Sequence, residues 1–306
     1  MKALVDFIQQ RKTERQLLAE AGVPPQIAFW RLYWRRLKPH PLPLIGIGVF
    51  AFFLLMAFIG PWVAPYEFQN QDIALRLKPP SWEHLCGTDQ YGRDVFSRIL
   101  VGSRGIFLLG GAGTLLAGLI GVSIGLFSGY AGGLWDEILM RILDIFLAFP
   151  PLLLALVILA TVGPSLISLI MVVAILYVPM LARVTRSMVL DLKTKEFVEA
   201  AVVRGESRWY ILFQEILPNA YAPLLVELSM RFSYAIFLVA SLGFLGMGVQ
   251  PPSPDWGLQI NEARSYFTSA PWMLLFPALA ISLLVVATNL MTDGFRHVLD
   301  PKAVHR

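Results

Sequence analysis

Few residues of this chain have types and spacings that could carry chemistry, and they stand among apolar residues. Glu227 and Arg231 are four positions apart inside an apolar stretch, a spacing at which two side chains meet on one helix face. Arg141 and Asp144, three apart, stand near the start of another such stretch. Because charges inside apolar segments are costly, both pairs are candidate gating or structural ion pairs, and the structural role is favoured over contact with a substrate.

No catalytic set accompanies these charges. Residues 121–125 read Gly-Val-Ser-Ile-Gly and match the string of serine hydrolases, but they lie inside an apolar run without a histidine. The four histidines stand outside such runs, at His40, His84, His297 and His305. Glycines 121, 125 and 129, repeated every fourth residue, instead predict close packing against another helix.

Sequence motifs for nucleotide binding and for cysteine zinc sites are also missing. The chain has no Gly-x4-Gly-Lys-Ser/Thr phosphate loop, and the single cysteine, Cys86, excludes an internal disulfide or a cysteine zinc cluster. We therefore expect no catalytic residue, no metal site and no cofactor in this chain. Any ATP-driven work must come from a partner.

The composition indicates which elements hold these residues. Of the 306 residues, 56% are hydrophobic and only 15% are charged, against about 25% in soluble domains, and the mean hydropathy is +0.63. A net charge of +4 gives no indication of nucleic-acid binding. We predict an all-α membrane protein with six transmembrane helices, at residues 42–64, 101–130, 138–161, 166–187, 223–247 and 271–292.

The basic residues predict the orientation. Most of the 25 Lys and Arg residues fall before the first span, in the even-numbered connections and after the last span, so both termini are expected in the cytoplasm. Residues 1–41 form a cytoplasmic segment in which Phe29 to Lys38 mixes aromatics with cations, as an interfacial helix does. Residues 42–306 form the transmembrane domain.

The connection at 188–222 is the most informative polar segment. It contains Glu199-Ala200-Ala201, then Gly205, and then Leu217-Pro218. The pattern predicts a short helix, a turn at the glycine and a second amphipathic helix. Its residues alone favour equally a helical hairpin that docks into a protein groove and a helix that lies on the membrane surface.

With this order of residues, the connection resembles the EAA loop of ABC importer permeases. More narrowly, the chain resembles the C-type permease subunits of the peptide/nickel ABC importer family. Other matching stretches, in family order, are 87–94, 141–150, 241–257 and 293–301. The sequence departs from the pattern at Val203 and Arg204, where a small and an aliphatic residue are usual, and at Glu215, where an aliphatic residue or histidine is usual.

The resemblance implies a type I ABC importer permease fold in a bacterial or archaeal cytoplasmic membrane. It implies a homologous second permease subunit, two ATPases that bind ATP and magnesium, and an extracytoplasmic substrate-binding protein. The coupling residues it implies are Glu199, Ala200, Ala201, Gly205, Leu217 and Pro218. Di- or oligopeptides, or a peptide-like solute, are the favoured substrates; nickel complexes, glutathione and oligosaccharides remain alternatives.

Polar residues in the last two spans are candidates for the pore lining, namely Ser229, Ser233, Tyr234, Ser241 and Asn289. Residues 65–100 and 249–256 form the surface expected to meet the binding protein. Two other classes remain open: a secondary transporter that works without ATP, and a membrane scaffold. Only the importer needs the 188–222 connection for association with an ATPase.

Overall fold

A computed structural model describes residues 41–299, with side chains for 41–296. The regular structure within that range is helical, apart from one isolated bridge between Thr88 and Asp94. The expected interfacial helix within 1–41 lies outside the described residues. The helices are α1 (Pro41–Val63), α2 (Val95–Ile106), α3 (Ala112–Ala131), α4 (Gly133–Leu147), α5 (Pro151–Val162), α6 (Leu166–Leu192), α7 (Glu196–Val203), α8 (Arg208–Tyr210), α9 (Leu217–Phe244), α10 (Trp256–Ala263) and α11 (Trp272–Leu299).

Five helical stretches are long and apolar enough to cross a membrane: Pro41–Val63, Val95–Ala131, Leu166–Leu192, Arg208–Phe244 and Trp272–Arg296. Two of these are longer than predicted because π-helical turns join neighbouring helices. Phe107–Gly111 joins α2 to α3, and Ile211–Ile216 joins α8 to α9. With the bent pair described next, the structure has the all-α, six-span class that the sequence predicts.

The third predicted span, 138–161, is not one straight helix. It is divided into α4 and α5, whose axes are bent by 87°. Pro150 and Pro151 explain the break, because a proline disfavours helical geometry in the residue before it and Pro150 is extended, with ψ 127°. The expectation of a single helix was wrong here because the double proline outweighs the continuous apolar run.

The glycine repeat packs α3 against α6, as predicted. A Cβ added at Gly121 would lie 2.8 Å from the Cβ of Leu181, and one added at Gly125 would lie 2.5 Å from the Cβ of Thr185. Both distances are shorter than side-chain contacts allow, so the two helix backbones approach closely only because these residues are glycines. This confirms the packing interpretation of the Gly-x-Ser-x-Gly string.

The apolar core lies between α3, α6, α9 and α11. Its fully buried members include Leu109, Leu169, Leu181, Ile236 and Leu284. Helices α6 and α9 are therefore central elements. The short helices α7 and α8 connect them at one end of the bundle, and α10 connects α9 to α11 at the other.

Candidate functional site

The segment between α6 and α9 carries the residues predicted for coupling. Helix α7 begins after Lys195 and buries Val198 and Ala201, whereas Glu199 and Ala200 are exposed. The apolar cluster under the helix contains Leu126, Val189, Val198, Ala201, Ile211, Leu212 and Ile216. One face of α7 is thus anchored to the bundle, and the opposite face carries Glu199 and Ala200 outward.

Gly205 ends α7 in a Schellman motif. Its φ is +77°, its N–H donates to the carbonyl of Val202 at 2.9 Å, and the N–H of Glu206 donates to the carbonyl of Ala201 at 3.1 Å. A Cβ at this position would meet no atom within 4 Å. Glycine is therefore favoured here by the left-handed backbone alone and not by lack of space.

The two departures from the family pattern contact each other. The Nη2 atom of Arg204 lies 3.3 Å from a carboxylate oxygen of Glu215, and its Nε atom lies 3.5 Å from Glu206. The Arg204 side chain is 52% exposed. The pair joins the end of α7 to the π-helical turn before α9, so each departure supplies a partner for the other.

The rest of the segment continues into α9. The hydroxyl of Ser207 caps α8 by accepting from the N–H of Tyr210 at 3.2 Å, and the rings of Trp209 and Phe213 stack with centroids 6.0 Å apart. Leu217 is partly buried against the apolar cluster, and Pro218 is exposed at the second residue of α9.

A cavity of about 420 Å³ lies between the α4–α5 bend, α6 and α9. Tyr177, which borders the cavity, lies near the middle of α6. At a rise of about 1.5 Å per residue, it is about 17 Å along the helix axis from Leu166, the first residue of α6. The lining residues are Phe146, Leu147, Phe149, Pro151, Leu152, Leu176, Tyr177, Met180, Arg231, Tyr234, Phe237, Leu238 and Ser241. This central cavity is apolar and aromatic apart from a few polar groups.

Glu227 and Arg231 form the predicted contact inside α9. The Nε atom of Arg231 lies 2.7 Å from Oε1 of Glu227, and Nη2 donates to the same oxygen. The guanidinium also lies over the ring of Tyr234, 5.4 Å from its centroid. Glu227 is buried, and Arg231 is the charged residue that reaches the central cavity.

The predicted pore residues separate into two groups. Tyr234 and Ser241 line the central cavity, whereas Ser229, Ser233 and Asn289 lie outside its lining. Ser233 is buried in the bundle, and Asn289 is exposed on α11. Sequence reasoning missed the aromatic residues at the α4–α5 bend, because a continuous apolar run does not reveal that the chain turns there.

The expected pairing of Arg141 with Asp144 is wrong. Asp144 instead pairs with Arg183 of α6, and Arg141 is exposed and takes part in no ion pair among residues 41–296. The three-residue spacing would allow Arg141 and Asp144 to meet on one face of α4, but the carboxylate of Asp144 faces α6, against which α4 packs. A second ion pair joins the same helices, with Arg186 Nε 2.6 Å from Asp136.

Buried charges occupy the α10 end of the bundle. The Nε atom of Arg93 lies 2.5 Å from Asp89, and its Nη2 atom lies 2.8 Å from Glu262 of α10. Arg98 is 1% exposed, 3.7 Å from Glu262 and 3.9 Å from Asp89. This charged cluster, formed by Asp89, Arg93, Arg98 and Glu262, ties the segment before α2 to α10.

Asp255 and Trp256 fix the start of α10 against α2. The carboxylate of Asp255 caps the helix by accepting from the N–H of Leu258 at 2.9 Å, and the indole of Trp256 donates to the carbonyl of Ile99 at 2.9 Å. Burial raises the pKa of Asp255 to about 6, although the N–H groups of Leu258 and Gly257 oppose the shift. Sequence reasoning placed Asp255 and Trp256 in the surface expected to meet the binding protein but did not predict these contacts with α2.

Comparison with known proteins agrees with this architecture. The sequence profile of binding-protein-dependent transport system inner membrane components matches residues 121–305, and that of the N-terminal transmembrane domain of oligopeptide transport permease C matches residues 28–80. No group of three or more His, Cys, Asp or Glu side chains able to hold a metal occurs in the described part of the chain.

Relatives match over almost the whole chain. A dipeptide transport system permease protein of Alkalihalophilus pseudofirmus is 40% identical over 89% of this chain and 90% of its own. A probable D,D-dipeptide transport system permease protein of Escherichia coli is 41% identical over 89% and 91%, and a glutathione transport system permease protein of Pectobacterium atrosepticum is 43% identical over the same shares. The chain therefore belongs to the binding-protein-dependent transport system inner membrane components, as a multi-pass permease subunit of the C type of peptide ABC importers.

Proposed function

We propose that this chain forms one half of the pore of an ATP-driven importer for peptides, and that α7 and α8 couple the pore to an ATPase. The observation that carries the proposal is that continuous helical elements connect the α7–α8 segment to the central cavity. Helix α6 leads into α7, a nearly unbroken helix runs from Arg208 to Phe244, and both long helices line the central cavity. A displacement of the α7–α8 segment would therefore reach the cavity through stiff, packed elements.

The complex that this requires contains a homologous second permease, two ATPases that bind ATP and magnesium, and an extracytoplasmic binding protein. The chain itself would be non-catalytic. In the proposed orientation both termini and the α7–α8 segment are cytoplasmic, and α10 with residues 65–94 faces the binding protein. The solute is proposed to be a peptide because the relatives described above are named for dipeptides and glutathione, and both are peptides.

The proposed ATPase contact is the exposed face of α7, at Glu199 and Ala200, with the turn at Gly205. Ala201 and Leu217 would act from beneath by holding the segment in place, because both face the apolar cluster. Pro218 would set the start of α9. Glu227, Arg231 and Asp144 would stabilise the moving helices through ion pairs, and Tyr234 and Ser241 would line the solute path.

The test uses the assembled importer in proteoliposomes, with ATP hydrolysis and peptide uptake measured together. We expect Glu199→Arg and Gly205→Pro to leave the complex assembled and hydrolysis measurable while uptake falls at least tenfold. Glu137→Arg is the matched control, since Glu137 is an exposed acidic residue of α4 outside the segment. Normal uptake by both coupling variants would contradict the proposal.

A further inference from the structure

The central cavity has the composition of a solute site. Its volume of about 420 Å³ falls in the range of small-molecule sites, which are mostly apolar with a few placed polar groups. Aromatic rings come from the α4–α5 bend and from α9, at Phe146, Phe149 and Phe237. Arg231 is the one charged residue in the lining formed by the described part of the chain.

Arg231 has donors to spare. A guanidinium carries five N–H groups. Glu227 accepts from Nε and Nη2 through a single oxygen, and no other described residue accepts a hydrogen bond from this guanidinium. Glu227 also fixes the orientation of the group, because its own side chain is buried one helical turn below. The planar donors of an arginine match the two oxygens of a carboxylate.

We propose that the central cavity is a transient binding site for the carboxy-terminal carboxylate of a peptide, with Arg231 as the donor and Glu227 as its positioning residue. The inference rests on the proposed function and names the chemical group of the solute that the cavity binds. A zwitterionic dipeptide suits the site, because it adds no net charge to a cavity whose own ion pair is neutral. Sharing the guanidinium with Glu227 weakens the contact, and a transport site requires this because the solute must leave.

The native cysteine content allows a direct test. Cys86, the one native cysteine of this chain, is buried, and burial raises the pKa of its thiol to about 11. In a Cys86→Ser background, Ser241→Cys is then the one thiol of this chain, and it lies at the cavity. The importer is reconstituted without its binding protein and labelled with N-ethylmaleimide. Alanyl-alanine or its carboxy-terminal amide is present at millimolar concentration, so that the permease alone is tested.

We expect the free acid to slow labelling of the new thiol at least threefold and the amide to leave it unchanged. In the double variant Arg231→Met/Glu227→Gln, which removes both charges and leaves no unpaired ion, the free acid should no longer protect. Arg231→Lys keeps the charge but loses the planar donors, and protection should fall to an intermediate value. Equal protection by acid and amide, protection that persists without Arg231, or no protection would each overturn the proposal.

Two features keep the result interpretable. If the double variant does not assemble, the comparison of acid with amide in the Arg231 protein decides the question alone. ATP-dependent uptake by the wild-type importer is measured separately with its binding protein present. Intact uptake without selective protection overturns only the carboxylate site, whereas absence of peptide uptake overturns the proposed function.

Discussion

Arg98 at one end of the bundle is almost completely buried and lies among Asp89, Arg93 and Glu262, whereas Arg204 at the other end has a half-exposed side chain beside Glu206 and Glu215. Both arginines have acidic neighbours, but the surroundings differ. A buried charge depends strongly on its partners, because removal of one leaves the other desolvated. An exposed pair contributes little, because water solvates each side chain after the pair is broken.

The contrast indicates different mechanical roles for the two ends. The charged cluster fixes the segment before α2 to α10, so that end should hold its shape. The α7–α8 segment is anchored by a small apolar cluster and keeps most of its polar surface open. The lower local stability expected of such a segment fits the role proposed for it, contact with an ATPase and transmission of movement.

The largest effect should come from breaking the charged cluster. Arg93→Ala removes the partner shared by Asp89 and Glu262 and should lower the free energy of unfolding by about 3 to 5 kcal/mol. The measurement is thermal unfolding of the purified protein. Arg204→Ala is the matched control, with an expected loss below about 1 kcal/mol. Similar losses in the two variants would remove the contrast between the ends.

The next effect depends on pH. The carboxyl of Asp255 has a pKa of about 6 in the folded chain, above its ordinary value of 3.8, so the folded state retains a proton that the unfolded chain releases. Raising the pH from 4 through 6 should therefore destabilise the protein at this residue, by about 3 kcal/mol at most. Asp255→Asn keeps an acceptor for the N–H of Leu258 but cannot ionise.

The measurement for Asp255 is the difference in unfolding temperature between wild type and Asp255→Asn at pH 5 and at pH 7.5. The variant should gain relative to wild type at the higher pH. A difference that does not change with pH would mean that the buried carboxyl does not titrate in this window.

A smaller effect is expected at the turn after α7. Gly205→Ala places a Cβ in a left-handed backbone and should cost about 1 kcal/mol, and Gly205→Asn should cost less because asparagine tolerates this conformation. Because the space around Gly205 is open, no steric loss adds to this cost. Hydrogen exchange of the α7 amides measures the loss locally, and equal exchange in all three proteins would exclude a role for the positive φ.

The smallest effect is the coupling between Arg204 and Glu215. A double-mutant cycle with Arg204→Ala and Glu215→Ala should give an interaction energy of about 0.2 to 1 kcal/mol that falls as salt is added. Unfolding free energies of the four proteins measure it. An interaction of several kcal/mol would show that this end, too, relies on desolvated charges.

Several features could be predicted from sequence because they depend on local pattern. The long apolar runs predicted the spans, and the glycine repeat at 121, 125 and 129 predicted the α3–α6 contact. Gly205 predicted the end of α7. Spacing alone was misleading at Asp144, whose partner is Arg183, because one helical turn defines which contacts are possible and not which neighbour is nearest.

The amino-acid sequence by itself determined the class of the protein, the number of spans, the family and the helix α7 that Gly205 ends. Hydropathy, turn chemistry and motif order are properties of consecutive residues, and these features depend on them. The tertiary structure decided the 87° bend between α4 and α5, the cavity beside Arg231 and the cluster that joins Arg93 to Glu262. These features bring together residues far apart in the chain, and their energies depend on burial, which arises only when the helices pack against one another.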